Sequence, residues 1–156
     1  MHTDALLSAV LEGTVVIEGG DERGEFAGLL LASFGADVIK LEGRSGSNSR
    51  RFGPFTASRG DPEHSLCFSR YNLGKKSVSL EVDHPAARDA LERLAGRADV
   101  IIDAGEAGNV ARRLEVYRAL QLINPRLIVC TITPFGLDGP YRDLKMTDLT
   151  QLAMGG

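Results

Sequence analysis

A chain of 156 residues, 43% apolar and 25% charged, holds enough material for one packed domain and buries about two-thirds of its unfolded surface. Eighteen basic against 21 acidic residues leave a net charge of −3, which argues against a general nucleic-acid surface. No apolar run approaches the roughly 18 residues of a membrane span, and Met1-His2-Thr3-Asp4 lacks the flank of a secretory signal, so the cytoplasm is the expected location.

Cys67 and Cys130 share no C-x-x-C spacing, and His2, His64 and His84 fall at no metal-ligand interval. Two buried free thiols and no metal are the expectation. In chain order, Thr3 caps a predicted helix through Glu12 that Gly13 ends. Val15-Val16-Ile17 reads as a buried strand, and Gly19 to Gly24 turns the chain into a helix from Glu25 to Phe34. Gly35 stands at the C′ position, and Asp37 to Leu41 forms the next strand. The glycine- and serine-rich run that follows would lie at the ligand edge of a doubly wound sheet, so Lys40 to Arg51 is read as the rim of a binding site. A plain surface crossover is the alternative.

The loop continues to Glu63, long enough to point to function. Ser77 to Val82 alternates as a strand, and His84-Pro85 opens a helix striped by Ala86, Ala90, Leu91, Leu94 and Ala95. Val100 to Ile102 is a strand, Ala107 to Leu120 holds one or two short helices, Leu127 to Thr133 is a strand, and Met146 to Met154 is a helix. Alternating β and α segments with apolar strands predict an α/β fold, a mostly parallel Rossmann-like sheet with helices on both faces. Val15–Ile17, Asp37–Leu41, Val100–Ile102 and Leu127–Thr133 are expected as neighbouring central strands. The glycine turn after the first strand invites a nicotinamide-dinucleotide reading with Glu42 as the ribose acid. It fits poorly, because Asp21 occupies the middle position of G-x-G-x-x-G, where a carboxylate would repel the pyrophosphate.

Five segments together carry a resemblance: Gly35 to Glu42, Asn72 to Val78, Ala98 to Ile102, Asn124 to Leu127 and Phe135 to Tyr141. In order and near spacing they are similar to the N-terminal motifs of the family III CoA-transferases, also called the CaiB/BaiF family. The match runs from about Gly13 to Gly156. The resemblance implies that CoA moves from an acyl-CoA donor to a carboxylic acid by nucleophilic catalysis. An enzyme aspartate attacks the thioester, forming a mixed anhydride that the CoA thiolate attacks in turn. It also implies a homodimer. Residues 1–156 would form the N-terminal part of the large domain. The nucleophilic aspartate is expected beyond Gly156, so no catalytic residue is assigned here, and Asp148 matches a different motif acid, read as a helix cap.

The resemblance supplies the coenzyme contacts one by one. Arg44 stands where related enzymes place an arginine near the adenine, Gly43 being the other position the match allows. Arg112 and Lys145 match an arginine and a lysine that the formyl-CoA transferase branch uses on the CoA side. Leu80 matches an apolar contact to the adenosine end, a strand core position being the alternative. Asn72, Lys75 and Lys76 sit in the most recognisable motif, as secondary coenzyme contacts or as residues that orient a turn. Three departures stand out: Ala104-Gly105 for an Asn-Phe pair, Glu25 for a proline, and Asp83 for a lysine. Two other readings remain, an acyl-CoA racemase and a non-catalytic half of a tandem protein. Thr147 occupies the racemase histidine position and cannot act as a base near neutral pH.

Overall fold

The computed structural model describes residues 10–57, 60–80, 85–105, 108 and 110–155. Five strands form one parallel sheet: β1 (Val15–Gly20), β2 (Asp37–Glu42), β3 (Lys76–Ser79), β4 (Val100–Ala104) and β5 (Ile128–Thr131), in the order β3-β2-β1-β4-β5. The helices are α1 (Glu25–Ser33), α2 (Leu66–Tyr71), α3 (Pro85–Ala95), α4 (Val110–Ile123) and α5 (Asp148–Gly155). The α/β, Rossmann-like fold is therefore the one expected, with the four strands predicted as neighbours lying side by side.

Local chemistry sets the joints. Gly35 has φ +97°, its amide donates to the Ala32 carbonyl, and the Ala36 amide donates to the Leu31 carbonyl, both at 3.0 Å. Those two bonds close α1 with a glycine that tolerates the left-handed conformation. Asp99 accepts from the Val15 amide at 2.9 Å, and Asn124 donates to the carbonyls of Ala95 and Ala98, tying α3 to the end of α4. Where one or two short helices are expected over Ala107–Leu120, the described residues hold α4, which runs on to Ile123.

Two cores flank the sheet. Under α3 and α4, Ile17, Leu41, Ala95, Ala98, Ile101, Leu120 and Leu127 pack with Leu91 and Leu94. Under α1, Val16, Ala36, Val38 and Ile102 pack with Ala27, Leu31 and Ala32. The period of two along β1 and β2 then sends Glu18, Lys40 and Glu42 to the α1 side, where all three are buried.

Several expectations are corrected. Lys40 is 1% exposed and belongs to the interior, so the rim begins at Gly43. Cys130 is exposed and Cys67 half-buried, because β5 is an outer strand of the sheet and α2 is short. β5 is shorter than Leu127–Thr133, and β3 ends at Ser79. Residues 1–9, Asp83 and the Val82 end of the third predicted strand lie outside the described residues; residues 10–13 form a turn. Thr147, rather than Asp148, caps α5: its amide donates to Thr150 Oγ1 at 2.9 Å, and its own hydroxyl accepts from the Thr150 amide.

Candidate functional site

In a parallel sheet, ligands bind outside the carboxyl ends of the strands, at the point where strand order reverses. Here the chain runs outward from β1 to β2 to β3, then returns to place β4 on the other side of β1. The reversal lies between Gly20 and Ala104, which are partners in register. Gly20 has φ +96°, and a Cβ there would strike the Ala104 carbonyl and the Gly105 amide. The Asp21 amide donates to the Ala104 carbonyl at 3.2 Å. Arg23 seals the crevice: Nε donates to Asp21 at 2.9 Å, and Nη2 donates to the carbonyls of Ala104 and Gly105 at 3.3 and 3.1 Å. The turn in which a dinucleotide fold would seat a pyrophosphate is thus occupied by the Arg23–Asp21 pair.

Beside the plug, the ends of β1 and β2 enclose a hollow of about 180 Å3 lined by Gly20, Asp21, Glu42, Gly43, Gly46 and Ser47 among others. Gly43, Gly46, Ser47 and Asn48 supply its loop side, and Arg44 is exposed in the same loop. Leu80 follows β3; its amide donates to the Glu42 carbonyl at 2.8 Å while its half-buried side chain packs on the core of Ile17 and Leu41. Arg112 is exposed on the first turn of α4, and Lys145 is exposed in the loop before α5. The segment that carries Lys145 is fastened to the start of α4 where Asp143 accepts from the Val110 amide at 3.1 Å. Neighbouring strands lie about 4.8 Å apart, so the ends of β2 and β4 are separated by roughly 10 Å, a span that one nucleotide covers. Arg44, Leu80, Arg112 and Lys145 thus share the carboxyl edge.

Asn72, Lys75 and Lys76 do not join them. Lys76 pairs with Asp37 at 2.7 Å, near the amino end of β2. Lys75 is interior: its ammonium donates to Glu18 Oε2 at 2.7 Å, the Glu25 carbonyl at 2.8 Å and Asn72 Oδ1 at 3.0 Å, which uses all of its donors. Burial pulls the Lys75 pKa down against the raising effect of its bond to Glu18. Asn72 spends its amide nitrogen on the Phe68 carbonyl. Within this structure Lys75 and Asn72 orient the turn and close a charge network.

That network is what sequence reasoning missed. Lys75, Glu18, Lys40 and Glu25 form a neutral chain of alternating charges, with Lys40 Nζ at 2.9 Å from both carboxylates. Gly28 makes room, since a Cβ there would overlap the Glu18 carboxylate. Glu25, the residue read as a departure, accepts from Ser47 Oγ at 2.8 Å and Ser49 Oγ at 2.6 Å. Burial raises its pKa, yet the Ser49 bond, the Lys40 charge and the Ser47 bond outweigh that and hold it ionised. Glu42 accepts from the Ser47 amide, Arg50 and Ser77. Burial again acts upward, but Arg50, Ser77 and the amide hold it at about 2. Arg50 also lies 3.7 Å from the centre of the Phe68 ring. The sequence signal was available: an acid inside the apolar strand Val-Val-Ile-Glu needs a buried counter-charge.

Chemically, the edge presents cations suited to phosphates. Glu18, Glu25 and Glu42 are buried and paired, and a carboxylate held at about 2, as Glu42 is, is a weak nucleophile.

The model of CoA-transferase family III matches residues 11–156. The chain is similar to the succinate–glutarate CoA-transferase of Agrobacterium fabrum, 35% identical over 136 residues covering 85% of this chain and 34% of that protein. It is 40% identical over 132 residues to the succinyl-CoA–L-malate CoA-transferase beta subunit of Chloroflexus aurantiacus, covering 84% and 32%. The solved structure of a CaiB/BaiF family protein from Brucella suis superposes with a TM-score of 0.83 at 34% identity, covering 95% of this chain and 39% of that one. The chain spans about a third of the length of these curated relatives.

Proposed function

The chain belongs to CoA-transferase family III, and from that premise we propose that it supplies the CoA-binding part of an enzyme that moves CoA from an acyl-CoA to a carboxylic acid. What supports the reading is that Arg44 follows β2 and Arg112 stands in the first turn of the helix after β4, both on the carboxyl side of the sheet, with Asp143 fastening the Lys145 loop to the start of α4. Guanidinium and ammonium groups there meet the phosphates of CoA, and Leu80 lies beneath the adenosine end. The acyl-accepting aspartate lies outside these 156 residues, and the active protein is a homodimer in the cytoplasm. Among the described residues no helix is long and apolar enough to cross a membrane.

Titration calorimetry with CoA tests the binding claim. Arg112→Ala weakens affinity by about 1 to 3 kcal/mol, the range for a charge-assisted hydrogen bond; unchanged affinity removes Arg112 from the site. Incubated with an acyl-CoA and a carboxylic acid, this chain exchanges no CoA. Turnover, or a covalent adduct on Asp148, contradicts the assignment of the nucleophile. One observation favours a second reading, a CoA-binding module without turnover: Arg23 fills the crevice between β1 and β4.

A further inference from the structure

Residues 43–51 carry Arg44, yet the only regular element among them is the single helical turn Asn48–Arg51, and no β-ladder fixes their position. Their order comes from two carboxylates below: Glu42 holds the Ser47 amide at 2.8 Å and Arg50 at 2.7 and 2.9 Å, and Glu25 holds the hydroxyls of Ser47 and Ser49. Ser49 is 0% and Ser47 6% exposed, and both hydroxyls converge on one carboxylate oxygen, Glu25 Oε1, at 2.6 and 2.8 Å. The same oxygen lies 2.9 Å from Lys40 Nζ. A buried carboxylate needs both a counter-charge and hydrogen-bond donors. Lys40 supplies the charge and the loop supplies hydroxyl donors. Lifting the loop therefore strips Glu25 of two donors, and removing Glu25 leaves two buried hydroxyls without their acceptor. The Ser65 hydroxyl, donating to the Ser49 carbonyl at 2.9 Å, continues the attachment into α2.

We propose that Glu25 is a positioning residue for nucleotide binding, fixing the Gly43–Arg51 loop through Ser47 and Ser49 and thereby setting where Arg44 meets the ligand. The proposal rests on the CoA-binding reading of the carboxyl edge. Glu25 itself touches no ligand, because it is sealed beneath the loop.

The test is a double-mutant cycle read by calorimetric titration of the full chain with CoA. Glu25→Ala weakens CoA binding about tenfold, as does Ser47→Ala/Ser49→Ala, which leaves every ion pair intact and so guards against misfolding of the first variant. Glu25→Gln keeps an acceptor oxygen for the serines and falls between wild type and Glu25→Ala. In an Arg44→Ala background, Glu25→Ala costs less than about twofold further, since Arg44 is the group it positions. A purely structural Glu25 gives equal losses with and without Arg44. That additive result overturns the proposal alone, as does wild-type affinity in the double serine variant. Wild-type chain that binds no CoA overturns the reading of the edge itself, and the proposal with it.

Discussion

Between β1 and α3/α4 the sheet buries Ile17, Leu41, Ile101, Leu120 and Leu127 against one another, while between β1 and α1 it buries Val16, Val38 and Ile102 alongside Glu18, Lys40 and Glu25. The first is held mainly by apolar packing, with the ion pair of Arg113 and Asp103 at 2.9 Å at its edge, and the second also by a buried neutral chain of four charges. Packing is non-directional and tolerates small changes of shape, whereas a buried ion pair demands its partner. The charges lie toward the carboxyl ends of β1 and β2, under the 43–51 loop, so the α1 side does two jobs: it seals the sheet and fastens the rim of the site. On the α3/α4 side the buried contacts are apolar, and the Arg113–Asp103 pair stands at the strand end.

The largest test of that contrast removes one charge. Lys40→Met leaves Glu18 and Glu25 buried without their shared cation, and urea unfolding reads a loss of about 3 to 5 kcal/mol. Adding Glu18→Gln to Lys40→Met restores part of it; a further loss would mean that the four charges do not act as one network. Next in size is Gly28→Ala, whose methyl group collides with the Glu18 carboxylate and costs about 1 to 3 kcal/mol by overpacking. On the other side, Ile101→Val removes one methylene from a dry core and costs about 0.5 to 1.5 kcal/mol by the same measurement. A loss at Ile101 as large as at Lys40 would erase the distinction between the faces.

Acid gives the smallest effect at neutral pH. The folded state holds Glu42 at about 2 against an ordinary value of 4.5, so the unfolded chain binds the proton first. The stability that Glu42 supplies is complete above about pH 4.5 and is lost as pH falls toward 2. Denaturation followed from pH 5 to 2 is therefore flatter for Glu42→Gln than for wild type, with no difference in slope between pH 5 and 7.

The parallel sheet was legible because Val15–Ile17, Asp37–Leu41 and Val100–Ile102 are short apolar runs punctuated by glycine, and Gly35 marks a helix end that only a left-handed residue closes well. Strand order came with less local information, but neighbouring apolar runs leave few right-handed arrangements. In the charged layer, Glu18 within its apolar strand signals a buried counter-charge, but not which residues supply it. Glu18, Lys40 and Lys75 stand far apart in sequence, and a lone lysine in a strand reads as surface until the fold shows which face it points to. Lys75 and Asn72 lie in a motif that resemblance links to the coenzyme, yet their hydrogen bonds go to Glu18, the Glu25 carbonyl and Phe68. Glu25 read as the loss of a rigid proline turn; in three dimensions it is the acceptor for two serines that the loop brings to it.

Binding at the carboxyl edge and binding at the amino edge near Lys76 and Asp37 protect different segments of the chain from exchange. Amide hydrogen exchange with and without saturating CoA measures this directly. Slowed exchange concentrated in residues 43–51, 110–113 and 142–146 is the predicted result. Slowed exchange around Lys76 and Asp37 with none at 43–51 would contradict it.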